Sequence, residues 1–163
     1  MWKEYKGDRA VEVGRLLLEN YAKDLGLDGA SKAGSRAGEE QEREIRQALS
    51  RGQILVTEDE HGEPVGYSCW YRRDENSSLD PSAYIPFLAI KKEYRNVGVT
   101  LLDFLRTLLK ELSSKNIKTM VFGTPKTNLN ATKLYDQFAT RYREEGGEIL
   151  WLADVKSLEE MFK

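Results

Sequence analysis

Residues Ala83–Leu112 place a strand-length apolar run, AYIPFLAI over 83–90, directly before a charged turn and a leucine-striped helix. Side chains alternate with period 2 along a strand and recur every 3.6 residues along a helix. A chain that switches period within a few residues must build a sheet and lay a helix on it. The helix is expected over Val97–Leu112, with Leu101, Leu105, Leu108, Leu109 and Leu112 on its apolar stripe. Pro86 cannot donate to a strand ladder, so the 83–90 run is expected to bulge or lose pairing there.

The flanking segments extend the pattern. Gln53–Thr57 and Val65–Arg72 are strand runs around the polar turn EDEHGEP, which predicts an antiparallel hairpin. Lys118–Phe122 reads as a buried strand. Leu129–Ala139 reads as a short helix with Ala131, Leu134, Tyr135 and Phe138 on one side. Thr140–Glu144 and Glu148–Val155 around Gly146-Gly147 predict a closing hairpin, and Lys156–Lys163 a last helical turn. Before Gln53 the period is helical: Val11, Leu17, Leu18, Tyr21 and Leu25 recur at helix spacing, as do Ile45, Ala48 and Leu49, with Arg51-Gly52 as the stop. The Gly-, Ala- and Ser-rich stretch Gly26–Gly38 between them reads as a mobile connection. The predicted fold is α/β (α+β), a mixed, mostly antiparallel sheet with helices on both faces. At 163 residues it fits one domain, with a helical region over 1–52 and the sheet over 53–155.

Charge and cysteine content exclude several classes. Lys and Arg total 25 against 27 Asp and Glu, without the basic excess of a nucleic-acid binder. The single cysteine, Cys69, allows no internal disulfide, and no apolar run approaches the ~18 residues of a membrane span. The first twenty residues carry charges throughout, unlike a signal peptide, so a cytoplasmic protein is expected. No His/Cys spacing suggests a metal site. His61, the only histidine, sits in the hairpin turn and reads as a solvent residue.

The chemistry is expected where the helix begins. Its first N–H groups have no intrahelical partner and the macrodipole makes that end positive, so a pyrophosphate is a natural guest. Gly98 permits close backbone approach, and Lys91, Lys92 and Arg95 add nearby cations. From these residues alone, Gly98 equally suits a plain helix start. The pattern Arg95-x-x-Gly98-x-Thr100, following FLAIKKEYR, resembles the acyl-CoA motif of the GNAT N-acetyltransferase superfamily. Thr100 stands where that family usually has Gly or Ala. Asn128, Ala131 and Tyr135 match the family's downstream Asn, Ala and Tyr, while Ala139 and Thr140 replace its usual Gly-Phe. The resemblance covers about Gln53–Val155.

That resemblance implies an N-acetyltransferase that moves an acetyl group from acetyl-CoA to an amine acceptor, a small molecule or a protein, and leaves a homodimer open. The backbone of Leu88, Ala89 and Ile90 would pair with the pantetheine arm. Arg95 and the amides of Asn96, Val97, Gly98, Val99 and Thr100 would hold the pyrophosphate. Asn128 would contact the cofactor arm, and also suits a helix N-cap. Tyr135 is the catalytic candidate, a phenol that protonates the leaving thiolate, with a plain core aromatic as the alternative. The first helices would shape the acceptor side, with Gly26–Gly38 as a lid. No general base is visible, and a non-catalytic acyl-CoA-binding or protein-interaction module is the competing expectation.

Overall fold

The structure is a computed structural model. It describes residues 2–24, 32–73, 82–94 and 98–162, with backbone alone for 20–24, 32–38, 98, 99 and 145. In chain order the described elements are β1 (Trp2–Tyr5), α1 (Gly7–Asp24), α2 (Lys32–Arg51), β2 (Gly52–Glu58), β3 (Pro64–Arg73), β4 (Ser82–Ile85) and β5 (Leu88–Ile90). A 3-10 turn at Lys92–Tyr94 precedes α3 (Gly98–Ser114), β6 (Thr119–Pro125), α4 (Leu129–Tyr135), β7 (Thr140–Glu145), β8 (Glu148–Asp154) and α5 (Val155–Met161). They form two compact units, Met1–Tyr71 with Leu88–Phe104 and Arg72–Phe87 with Leu105–Lys163.

In the first unit β1, β2, β3 and β5 pair antiparallel in that order. The β2–β3 turn is closed by Asp59, whose Oδ1 accepts the amides of His61 at 2.8 Å and Glu63 at 3.0 Å. The strands are buried on both faces: Ile54, Leu55, Val56, Val65, Tyr67, Cys69 and Trp70 are all in the core. Among the buried polar groups, Trp70 Nε1–H donates to Gln53 Oε1 at 3.1 Å. The Tyr67 ring lies against Gly14 of α1, and on the opposite face the Trp2 ring packs on Phe104 of α3, centroids 4.9 Å apart. Successive residues of a strand point to opposite faces, so helices cover both sides of these strands, as the sequence predicts.

The second unit is built on β6. It pairs parallel with β4, from Ser82↔Thr119 to Ile85↔Phe122, and antiparallel with β8, from Thr119↔Asp154 to Pro125↔Glu148. The β7–β8 hairpin turns through Gly146 at φ 53° and Gly147 at φ 85°. Two consecutive positive φ values match the right-handed twist of a hairpin and favour glycine at both positions. Leu108, Leu109, Leu112, Ile117, Met120, Val121, Ile149, Leu150, Trp151 and Leu158 supply the core.

The mixed, mostly antiparallel fold is as the sequence predicts, and several boundaries are not. Trp2–Tyr5 is a strand rather than part of a helical leader. Four residues carry too little period to read, and this strand is fixed by its partner, Ile54–Thr57. Helix α2 begins at Lys32, so Lys32–Gly38 is helical backbone instead of connection. Lys32, Ala33, Arg36 and Ala37 are strong helix formers and outweigh Gly34 and Gly38. The remainder of that stretch, through Ser31, lies outside the described residues. The 83–90 run breaks at Pro86 into β4 and β5, as its proline requires.

Three leucines assigned to buried faces are exposed: Leu49 at 38%, Leu101 at 37% and Leu134 at 43%. On α3 Leu101 shares the face of Phe104, Leu108 and Leu112, at offsets of three, seven and eleven, but it sits in the first turn of the helix and is less covered than they are. On α4 the buried position is Thr132, whose hydroxyl donates to Asn128 O at 2.9 Å and so needs no water.

Candidate functional site

Of the candidate residues, Leu88–Ile90 and Gly98–Thr100 belong to the first unit, and Asn128 and Tyr135 to the second. In the first unit Leu88, Ala89 and Ile90 form β5 and lie opposite Ser68, Tyr67 and Gly66 of β3. Lys91 N donates to Val65 O at 2.8 Å, which extends the ladder by one bond. Tyr94 N then donates to Lys91 O at 2.9 Å and turns the chain. Arg95, Asn96 and Val97 lie outside the described residues. Gly98, Val99 and Thr100 are the first three residues of α3, and Gly98 opens it as expected.

The first turn of α3 carries no acidic side chain. A carboxylate there would complement the helix dipole and compete with any other anion. Its absence, with backbone amides at the start of a 17-residue helix, fits a pyrophosphate. Thr100 is half-buried, and its carbonyl accepts a hydrogen bond from Trp2 Nε1–H at 3.1 Å. Trp2 is the residue that sequence reasoning missed. Its only local signal is an aromatic two positions into the chain, separated from Tyr5 by Lys3 and Glu4.

The second unit holds Asn128 and Tyr135 at the two ends of α4. Asn128 is exposed and caps the helix, Oδ1 accepting the amide of Ala131 at 3.1 Å. Tyr135 is half-buried inside an aromatic cluster. Its ring meets Phe122 edge-on at 4.9 Å between centroids, Phe138 at 5.7 Å and Trp151 at 5.8 Å, with interplanar angles of 75°, 80° and 65°. Edge-to-face contacts of this kind fix ring orientation as well as burying area. Trp151 is held in turn, its Nε1–H donating to Thr124 Oγ1 at 2.8 Å. Arg141 stands 5.4 Å from the Trp151 ring centroid and pairs with Asp136, the residue after Tyr135, at 3.1 Å. The phenol is therefore carried on a ring with a defined direction. The capping role of Asn128 and the packing role of Tyr135 are both present.

The remaining titratable candidates are structural. His61 is exposed in its turn, and its Nε2 lies 3.6 Å from Glu60. Cys69 is buried, and burial pushes its thiol well above the usual range, which makes a thiolate nucleophile unfavourable. Burial likewise pushes the Tyr67 phenol up. Glu93 is exposed. Among the described residues no group of three or more His, Cys, Asp or Glu side chains could hold a metal ion.

The family model that matches the sequence is that of the acetyltransferase (GNAT) family, over residues 15–139, and the chain belongs to that family. Solved structures share its fold over nearly the full length. A GNAT-family acetyltransferase from Listeria monocytogenes is 12% identical with a TM-score of 0.70, covering 94% of each chain. One from Staphylococcus aureus is 17% identical with a TM-score of 0.69, covering 95% of this chain and 98% of that one. The PaiA N-acetyltransferase of Thermoplasma acidophilum, solved in complex with coenzyme A, is 16% identical with a TM-score of 0.62, covering 94% and 98%. No curated protein matches the chain in sequence. Among the described residues no helix is long and apolar enough to cross a membrane.

Proposed function

We propose that the chain is an N-acetyltransferase that moves an acetyl group from acetyl-CoA to a primary amine of a small molecule or protein, acting as a single domain over 1–163 in the cytoplasm. The observation that carries this reading is the start of α3. A short strand, a turn and a helix opening at Gly98 follow one another, and no carboxylate stands in the first turn of that helix. The family match runs through both compact units, which supports treating them as one functional domain.

In this reading the backbone of Leu88, Ala89 and Ile90 pairs with the pantetheine arm, since Pro86 ends β4 and leaves β5 a separate short strand. Arg95 and the amides of Asn96 to Thr100 neutralise and hold the pyrophosphate. Asn128 touches the cofactor arm while it caps α4. The amine nitrogen bonds to the acetyl carbon as the carbon–sulfur bond breaks. Tyr135 gives its phenolic proton to the departing sulfur, and the nitrogen loses one proton to water. The phenolate then regains a proton from solvent. Phe122, Phe138 and Trp151 support this role by holding the ring in one orientation.

The second reading, a non-catalytic acyl-CoA-binding or interaction module, is favoured by one observation: packing alone accounts for the position of Tyr135. Release of free CoA from acetyl-CoA over a panel of amines separates the two, with Tyr135→Phe as the control. Turnover that Tyr135→Phe abolishes supports the transferase. Binding of CoA without turnover supports the module, and no binding of CoA overturns both.

A further inference from the structure

Trp2, Thr57, Gly66 and Ile90 are directly opposed in turn across β1, β2, β3 and β5, so they form one row on one face of these strands. The Trp2 ring lies along that row over Gly66. A Cβ at residue 66 would stand 2.8 Å from the ring's Cη2 and 2.7 Å from Thr57 Cγ2, so the glycine is what leaves room for the indole at this point of the row. From there the ring packs on Phe104, and its N–H reaches the carbonyl of Thr100. These contacts fall on the first two turns of α3, and the row they start from ends at Ile90, the last residue of β5.

We propose that Trp2 is a positioning residue for acyl-CoA binding: it fixes the height and rotation of the α3 N-terminus relative to β5, so that the first-turn amides and the Leu88–Ile90 backbone address one cofactor. The inference rests on the functional reading above. The physical reason is directional. Packing of Phe104 alone would hold the helix near the strands but leave it free to rotate or slide by a fraction of a turn. A hydrogen bond to one named carbonyl removes that freedom and sets where the amides of residues 98–100 point. The contact comes from outside the helix and leaves the first-turn amides clear for a ligand.

The test is Trp2→Phe, which keeps an aromatic ring on Phe104 and removes the N–H donor. Binding of CoA by calorimetry is expected to weaken about tenfold, the worth of one directional hydrogen bond. In turnover, KM for acetyl-CoA rises by a similar factor while kcat and KM for the amine stay within twofold. Amide hydrogen exchange over Leu101–Phe104 speeds up, and exchange in α4 does not change. Ile149→Val, a buried change in β8 that lowers Tm, leaves the Kd for CoA within twofold and shows that lost stability alone does not weaken binding. Should Trp2→Phe not fold, Gly66→Ala displaces the ring and serves the same comparison. Unchanged CoA affinity in a folded variant overturns the inference and spares the functional reading. A wild-type protein that binds no CoA overturns the functional reading, and the inference with it.

Discussion

Helix α4 is capped by Asn128, three residues from the amide it accepts, whereas the first turn of α3 takes an indole N–H from a residue 98 positions earlier. The two helices carry candidate residues, Gly98–Thr100 on α3 and Tyr135 on α4, yet their starts are secured by opposite means. One start is local, and the other depends on strand pairing that must form first. A local cap can be read from a few neighbouring residues and costs little when lost. A distant anchor is invisible along the chain and governs geometry beyond its own contact.

Predicted effects rank by how directly they touch this contrast. Tyr135→Phe should lower kcat by about 10²- to 10⁴-fold with CoA affinity unchanged, because the ring stays and only the proton donor goes. A parallel loss of CoA binding would instead place Tyr135 with the cofactor contacts. Gly66→Ala should cost about 1–3 kcal/mol in chemical denaturation, since the new methyl meets Trp2 and Thr57 below 3 Å and the core must shift. If the cost is near zero, the Trp2 ring moves freely and the distant anchor is weak. Asn128→Ala should cost about 1 kcal/mol, with Asn128→Ser restoring it. If Ser restores stability but KM for acetyl-CoA stays raised, Asn128 also touches the cofactor.

The smallest effect is one of pH. Asp154 caps α5 with both Ser157 N–H and Ser157 O–H on its carboxylate, and these bonds hold its pKa below the usual value. A lowered folded pKa contributes stability above the unfolded value, ~3.9, and loses it as pH falls through the folded value. Thermal melts should therefore show Asp154→Ala costing less below pH 4 than at pH 7. The Trp2–Thr100 bond involves no titrating group, so the destabilisation by Trp2→Phe should be the same at both pH values.

The contrast also explains what the sequence reveals. Asn128, Pro86 and Gly146-Gly147 act on their own neighbours, and the cap, strand break and hairpin they predict are where expected. Gly98 opens its helix for the same reason. Trp2 escapes detection because its meaning lies at residues 57, 66, 100 and 104, and no window along the chain holds them together. Leu101 and Leu134 fail differently. Leu101 is on the buried face but in the first turn of its helix, whereas on α4 the buried face is chosen by the neighbour, and a stripe wide enough to be found is too wide to fix the angle. Lys32–Gly38 was obscured by its glycines, whose cost in a helix is small beside the combined preference of its alanines and long basic residues.

The split of the 83–90 run at Pro86 bears on how the chain acquires its shape. Unit membership changes between Tyr71 and Arg72, between Phe87 and Leu88 and again between Phe104 and Leu105, so neither unit is a continuous piece of chain. During synthesis β1–β3 emerge first, but their last strand and the indole's acceptor arrive only with residues 88–104. Until then the row from Trp2 to Gly66 has no cover on that face. Closing it requires loops of many tens of residues, so this part of the protein must form late and slowly compared with the local hairpin at 140–154.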